Sequence, residues 1–314
     1  MQISYQKKLI MKSVKTNKDI YIITGVAGFI GSQLVPLLIK KKNSIVIGID
    51  NLKLGKIKFI EKYIKNKQLL FFNIDLGKKI KNNKIHKMLK NNKLKQIWHL
   101  AANSDIKAGI DNLNLDLKDT FLSTVNICDF IKPFIKKRTI VIFSSSSAIY
   151  GKVNKSISEN TSPCIPESYY GSMKQSSEAF LSAFSFNNNI KSFVFRFPNV
   201  VGKNLTHGII YDLSQKILSK SRYLNVLGNG QQCKPYSNVN EIIRCMDYVV
   251  KKRHTNNVNY YNIGTSDKGL KVKNIVNLLL KKYTCNKKVI YEANFFGWKG
   301  DIPRYRYSTK KLNK

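Results

Sequence analysis

The stretch Ile20-Tyr21-Ile22-Ile23-Thr24-Gly25-Val26-Ala27-Gly28-Phe29-Ile30-Gly31-Ser32 joins an apolar run to three glycines spaced three apart. The run before Thr24 reads as a buried strand, and the residues from Ser32 to Ile39 carry apolar positions at helical spacing. Strand, glycine turn and helix in this order form a dinucleotide-binding unit. Gly25 suits the tight turn, Gly28 lets the backbone approach a pyrophosphate, and Gly31 lets helix and strand pack closely. The helix N-terminus then holds the phosphate charge. The next apolar run, 44–49, ends in Asp50, where an acid can bind the adenosine ribose hydroxyls and repel a 2′-phosphate. NAD is therefore favoured over NADP, a preference tempered by the nearby Lys53 and Lys56.

Working outward, strands are expected near 20–24, 44–49, 69–73, 95–99, 139–143, 191–195 and 259–263. Helices are expected near 29–40, 112–136, 168–186, 238–251 and 271–283, with a ragged lysine-rich helix within 78–93. Strands alternating with helices predict an α/β fold, a Rossmann-type doubly wound parallel sheet. After Asn199 the alternation is lost. Residues 20–199, rejoined by 238–263, are expected to form the cofactor-binding domain, and 200–314 mainly a smaller C-terminal substrate-binding lobe. Ligands of open α/β sheets sit at the carboxyl ends of the strands.

The pentad Tyr170-Gly171-Ser172-Met173-Lys174 places a phenol and an ammonium on one helical face. A free phenol, with a pKa of about 10, is a poor base at neutral pH. A neighbouring ammonium favours the phenolate and is expected to lower that pKa. About one helix upstream, the strand end Ser144-Ser145-Ser146-Ser147 offers a hydroxyl to hold the substrate oxygen.

With these residues on the page, the chain resembles the extended short-chain dehydrogenases, and within them the UDP-glucose 4-epimerase-like nucleotide-sugar epimerases. The resemblance runs from residue 20 onward and rests on the order and spacing of many motifs. They are TGVAGFIGS at 24–32, DNL at 50–52, DL at 75–76, HLAA at 99–102, SSSSAIYG at 144–151, YYGSMK at 169–174, RFPNVVG at 196–202, THGIIYD at 206–212, VLGNGQQCKPY at 226–236 and GWKGDIP at 297–303. It implies Ser146, Tyr170 and Lys174 as the catalytic group, Ser146 standing four before Tyr150 and also facing substrate. It implies that NAD is bound by Gly25, Gly28, Phe29, Ile30, Gly31, Asp50, Asn51, Asp75, Leu76, Leu100, Ala101 and Ala102, with Tyr170 and Lys174. Asn199, His207, Lys234, Asp301 and Tyr305 are implied on the nucleotide-sugar side. Tyr305 matches the position where family members gate the sugar's C2 substituent, and a ring there fills the room an N-acetyl group needs. Lys234 stands where relatives often carry Arg, a point charge in place of a bidentate fork. Asp75 could equally cap a turn, His207 could be an ordinary loop residue, and Tyr169 competes with Tyr170 but has no Lys four residues on.

The resemblance also separates reaction types. Sugar 4,6-dehydratases place Asp-Glu directly after the catalytic hydroxyl. Here Ser147 and Ala148 stand there, and neither ionises. What remains is hydride chemistry, in which a 4-keto sugar forms, turns and is reduced on its other face. The implied activity is a UDP-glucose/UDP-galactose 4-epimerase. The alternatives are an epimerase or reductase of another nucleotide sugar, or a silent NAD-binding protein that binds RNA on a basic surface. Intact Ser146, Tyr170 and Lys174 argue against the last. The helices near 112–136 and 168–186 resemble those that pair in family homodimers, with Leu113, Leu117, Phe121 and Val125, and Phe180 and Phe184, at helical spacing.

Composition adds bounds. The 314 residues suffice for a sizeable core, and 43% hydrophobic content marks a globular chain. The net charge of +37 raises nucleic acid or an anionic membrane as partners. Only seven of the basic residues are Arg, and the lysines are spread among abundant Asn and Ile, as an AT-rich genome would encode. This argues against a nucleic-acid partner. Five scattered cysteines and four unclustered histidines fit a reducing, cytoplasmic setting and no metal site. No apolar stretch reaches the ~18 residues of a membrane span. Residues 1–19 are read as a basic extension rather than a secretory signal, with Met11 as an alternative start.

Overall fold

The computed structural model describes residues 17–153, 156–297 and 301–313. Most of the basic extension expected over 1–19, Met11 included, lies outside the described residues, as do Trp298, Lys299 and Gly300.

The first half alternates strictly. β1 (Asp19–Thr24), α1 (Phe29–Leu38), β2 (Ser44–Asp50), α2 (Glu61–Lys65), β3 (Leu70–Asn73), α3 (Asn83–Asn91) and β4 (Lys93–His99) come first. Then follow α4 (Ile106–Asp111), α5 (Leu113–Asp116), a π-helical turn (Leu117–Leu122), α6 (Ser123–Ile131), β5 (Ile140–Ser146), α7 (Tyr169–Asn188) and β6 (Lys191–Phe197). The second half is more broken: β7 (Asn199–Val201), α8 (Ile209–Leu218), β8 (Tyr223–Val226), β9 (Cys233–Lys234), β10 (Tyr236–Asn238) and α9 (Val239–Lys251). It closes with β11 (Val258–Asn262), β12 (Leu270–Lys271), α10 (Val272–Lys282) and β13 (Lys288–Tyr291).

Seven strands form one sheet in the order β11-β6-β5-β4-β1-β2-β3, every pairing parallel. The order reverses between β1 and β4, so a crevice opens there at the carboxyl ends. Both faces are covered, which is why the strands read as continuous apolar runs. Side chains alternate between the faces. Tyr21 and Ile23 enter the core under α1 and α9, while Ile20 and Ile22 enter the core under α3, α6 and α7.

The helix expected over 112–136 is interrupted by the π-helical turn, where Ser123 and Thr124 hydroxyls both donate to the Thr120 carbonyl, at 2.9 and 3.0 Å. α7 starts where Ser168 Oγ accepts the Gly171 N–H at 3.1 Å. In the second half, α8 and α10 enclose a separate core with Leu224, Val226, Ile275 and Val276. Its small sheets pair β8 with β13, β9 with β12, and β7 with β10. The 301–313 segment folds back, and Tyr305 and Tyr307 pack on Ile149, Tyr150 and Ile157.

Candidate active site

A cleft of about 680 Å³ lies at the carboxyl ends of the sheet, and every residue that the sequence assigned to cofactor, catalysis or substrate lines it. Its floor begins at the glycine turn. Gly25 has φ +68°, and a Cβ there would stand 2.9 Å from Ala101 N. A Cβ on Gly31 would stand 2.1 Å from Gly25 O, so α1 can pack this tightly on the turn only through glycine. Leu100 and Ala101 donate their N–H groups to Thr24 Oγ1 at 3.1 and 3.2 Å, binding the end of β4 to the end of β1.

Asp50 ends β2 and is 7% exposed. Its carboxylate accepts Ala27 N–H at 3.0 Å and Leu52 N–H at 2.8 Å. Burial raises its pKa against these bonds. A carboxylate has about four lone-pair sites, so acceptor capacity remains for a pair of ribose hydroxyls. Lys53 pairs with Asp119 at 2.8 Å, and Lys56 lies 5.9 Å from the Tyr211 ring centroid. Lys53 lines the cleft together with Asp119, which offsets its charge there. Asp75 accepts Gly77 N–H at 3.0 Å and faces Lys118 at 3.4 Å, so it caps a turn and lines the cleft at once.

The acid–base group sits deeper. Ser146 Oγ accepts Ala148 N–H at 3.1 Å and lies close enough to the Tyr170 hydroxyl to lower its pKa against burial. Lys174 is 2% exposed, donates to Ser144 O at 2.6 Å and lies 5.7 Å from the Tyr170 ring centroid. Tyr169, by contrast, is 48% exposed. The pKa expectation for the phenol is corrected here. Burial pushes Tyr170 up to about 12, against the Ser146 hydroxyl and with Asp116 adding to the rise. Burial also brings Lys174 down to about 7, against the pull of Glu178 and Asp116. Below this group, buried Glu178 binds Arg196 at 2.7 Å and accepts the Ser145 hydroxyl, tying α7 to β5 and β6.

Across the cleft, Lys234 and Asp301 pair with each other at 2.5 Å, and Asp301 also accepts Gly297 N–H at 3.0 Å. Tyr305 is buried, receives the Ser147 hydroxyl at 3.2 Å and accepts the backbone N–H of Asn199. Thr206 and His207 share a 3.0 Å hydrogen bond, and burial lowers the His207 pKa. His99 is packed, as its strand-end position suggested. It contacts Thr24 Oγ1 at 2.7 Å and Thr124 Oγ1 at 3.0 Å.

The cleft also takes in residues the sequence did not single out, among them Asn103, Asp105, Glu167, Asp212 and Gln232. Asp212 and Gln232 lie inside the quoted segments 206–212 and 226–236, which were read for other residues. Asn103 and Asp105 come one and three residues after the HLAA strand end, and Glu167 alone stood near no quoted motif residue that pointed to it.

Comparisons with known proteins point in one direction. Residues 21–264 match the family described as NAD dependent epimerase/dehydratase family. The chain is similar to the UDP-glucuronate 4-epimerase of Thermodesulfobacterium geofontis, 23% identical over 229 residues, 71% of this chain and 69% of that one. Its structure is similar to that of the Thermotoga maritima UDP-glucose 4-epimerase with UDP-glucose, at 25% identity and TM-score 0.80, covering 94% of this chain and 91% of that one. It shares its fold with the Bacillus cereus UDP-glucuronic acid 4-epimerase in complex with UDP-glucuronic acid and NAD, at 22% identity and TM-score 0.82, over 94% and 91% of the two chains.

Proposed function

The chain belongs to the NAD dependent epimerase/dehydratase family, and we propose that within it this protein is a UDP-hexose 4-epimerase acting on UDP-glucose and UDP-galactose. The observation that carries the reading is the convergence of Ser146, Tyr170 and Lys174 on one cleft, Lys174 lying 5.7 Å from the Tyr170 ring centroid, with the non-ionising Ser147 and Ala148 following in sequence. Elimination of water needs a further acid and base at those two positions. Epimerisation does not.

The Gly25–Gly31 turn holds the pyrophosphate of NAD, Asp50 with Asn51 its adenosine ribose, and Asp75 with Leu76 flank the adenine. When bound, NAD supplies a positively charged ring and reversible uptake of the hydride from sugar C4. Tyr170 accepts the proton of the sugar O4 hydroxyl as the C4–H bond breaks and the C4 carbonyl forms. Ser146 orients that oxygen through its hydroxyl. Lys174 stabilises the phenolate and holds the neighbouring ribose. Once the keto sugar had turned, Tyr170 would return the proton to O4, with the bound cofactor supplying the hydride it took up. Atoms and electrons balance, and the cofactor is not consumed. Asn199, His207, Lys234 and Asp301 hold the nucleotide, the last two by exchanging their mutual ion pair for bonds to it.

Tyr305 sets the sugar. Its ring is 7% exposed and its hydroxyl is tied to Ser147 and to Asn199 N–H, so it forms a fixed wall. A fixed wall leaves room for a C2 hydroxyl but not for an N-acetyl group. The test is a panel of UDP-sugars with product resolution, then kcat/KM for UDP-galactose and UDP-N-acetylgalactosamine in wild type and Tyr305→Ala. The expected result is a wild-type preference for the unacetylated sugar, reduced roughly tenfold or more in the variant. Equal wild-type rates would remove Tyr305 from the specificity argument. No epimerisation of any sugar would sink the functional reading itself.

A further inference from the structure

The end of the sheet at which the strands begin carries a dense lysine surface. Seven of the chain's 18 acidic residues line the cleft at the carboxyl ends, against five of its 55 Lys and Arg. The opposite end is formed by the segments that lead into each parallel strand: 17–18, 40–42, 65–67, 90–95, 132–138, 191 and 251–253. These segments hold 17 Lys and Arg and no Asp or Glu, and 14 of the 17 are exposed. Acids facing them are Asp19 against Lys95, Glu61 against Lys65, and Asp247 against Lys41 and Lys251. Asp247 thereby bridges two basic triplets, 40–42 and 251–253, into one continuous patch. A third triplet, 136–138, enters β5 and lies three strands from β2, about 14 Å at the usual strand spacing. A lysine-rich composition alone predicts basic residues wherever water reaches, but not seven strand-entry segments with no acid within any of them.

We propose that this amino-end face docks on an anionic lipid bilayer, leaving the cleft open to water. Charge complementarity carries the choice, together with residue type. The patch is almost all lysine, which attracts a diffuse anionic surface, whereas phosphate readers of nucleic acid favour the bidentate arginine fork. Two exposed aromatics belong to the same end. Phe186, 67% exposed, lies on the last turn of α7 before β6, and Tyr248, 58% exposed, lies near the end of α9 with Lys252 4.5 Å from its ring. Aromatic rings beside lysines suit the headgroup level of a membrane.

The test uses the whole chain with vesicles of phosphatidylcholine, alone or with about 30% phosphatidylglycerol, in co-sedimentation at about 0.1 M salt. Two variants carry the same charge change. One is Lys42→Glu, Lys137→Glu and Arg253→Glu on the amino-end face. The other is Lys220→Glu, Lys281→Glu and Lys282→Glu on the second core. The expected outcome is binding to the anionic vesicles only, weakened roughly tenfold or more by the first variant and less than about twofold by the second. Epimerase turnover should be unchanged in both, since neither touches the cleft. Equal weakening by the two variants would show a diffuse charge effect and overturn the docking face. Binding to neither vesicle would do the same. Tighter binding to poly(U) than to the anionic vesicles at the same salt, weakened by the first variant alone, would assign the face to nucleic acid instead.

Discussion

At Tyr170 two effects oppose each other. Burial, with Asp116 adding to it, holds the phenol neutral, up to about 12, while the Ser146 hydroxyl favours the phenolate. A proton acceptor so placed is irreplaceable by a ring without oxygen. Tyr170→Phe is expected to lower turnover by a factor of about 10² or more with NAD still bound, checked by steady-state kinetics and bound-cofactor absorbance. Near-normal turnover would move the role to another group. Lys174→Ala should reduce both turnover and NAD retention, because one ammonium serves both. His99 gives a pH prediction. Burial, with Lys174 adding to it, lowers its pKa from 6.5 to about 3 in the fold. Between those values the unfolded chain binds the extra proton, so stability rises with pH through this window and is lost as pH falls through it. The slope from one such group is at most about 1.4 kcal/mol per pH unit. Urea midpoints at pH 7 and pH 5 should differ less in His99→Gln than in the wild type.

Among the elements, the β1–α1 unit is the most tightly specified. A methyl group at Gly31 would enter the space of Gly25 O, so α1 must shift outward and the turn opens. Gly31→Ala is expected to weaken NAD binding about tenfold or more and to cost roughly 1–3 kcal/mol of stability. Cofactor titration and denaturation check this, and unchanged NAD affinity would contradict it. Long elements of this kind were legible because their burial repeats with a regular period. β1, β2, β4 and β6 fall within two residues of the expected strands, and α9 and α10 within one residue of the expected helices. The sequence reading passed over α8 and the strands β7, β8, β9, β10, β12 and β13. Strands of two to four residues are too short to show alternation, and they form only because a neighbouring segment pairs with them.

For the molecule as a whole, assembly is the open quantity. Leu113 and Leu117 are 53% and 36% exposed beside α7, where Phe121 meets Phe180 edge-on at 6.2 Å. An apolar face of two adjacent helices suits a second copy of the same face around a two-fold axis. Light scattering at micromolar concentration is expected to give twice the 36.0 kDa chain mass, and Leu117→Asp should halve it. A monomer in the wild type would rule the dimer out.

What the amino-acid order determined alone is what lies within one element. Three glycines at fixed spacing must face one turn, and a Tyr and Lys four apart must share one helix face, because a regular backbone leaves them nowhere else to go. The alternation of apolar runs likewise determined the parallel sheet and put the site at its carboxyl end. Only the tertiary structure decided which distant loops close that site. Ser147 meets Tyr305 across 158 positions, Lys53 meets Asp119 across 66, and Lys234 pairs with Asp301 across 67. The same holds for protonation. Spacing placed Lys174 beside Tyr170, but the depth at which the fold buries both set the direction of their pKa shifts, and desolvation is a property of the packed interior rather than of any local pattern.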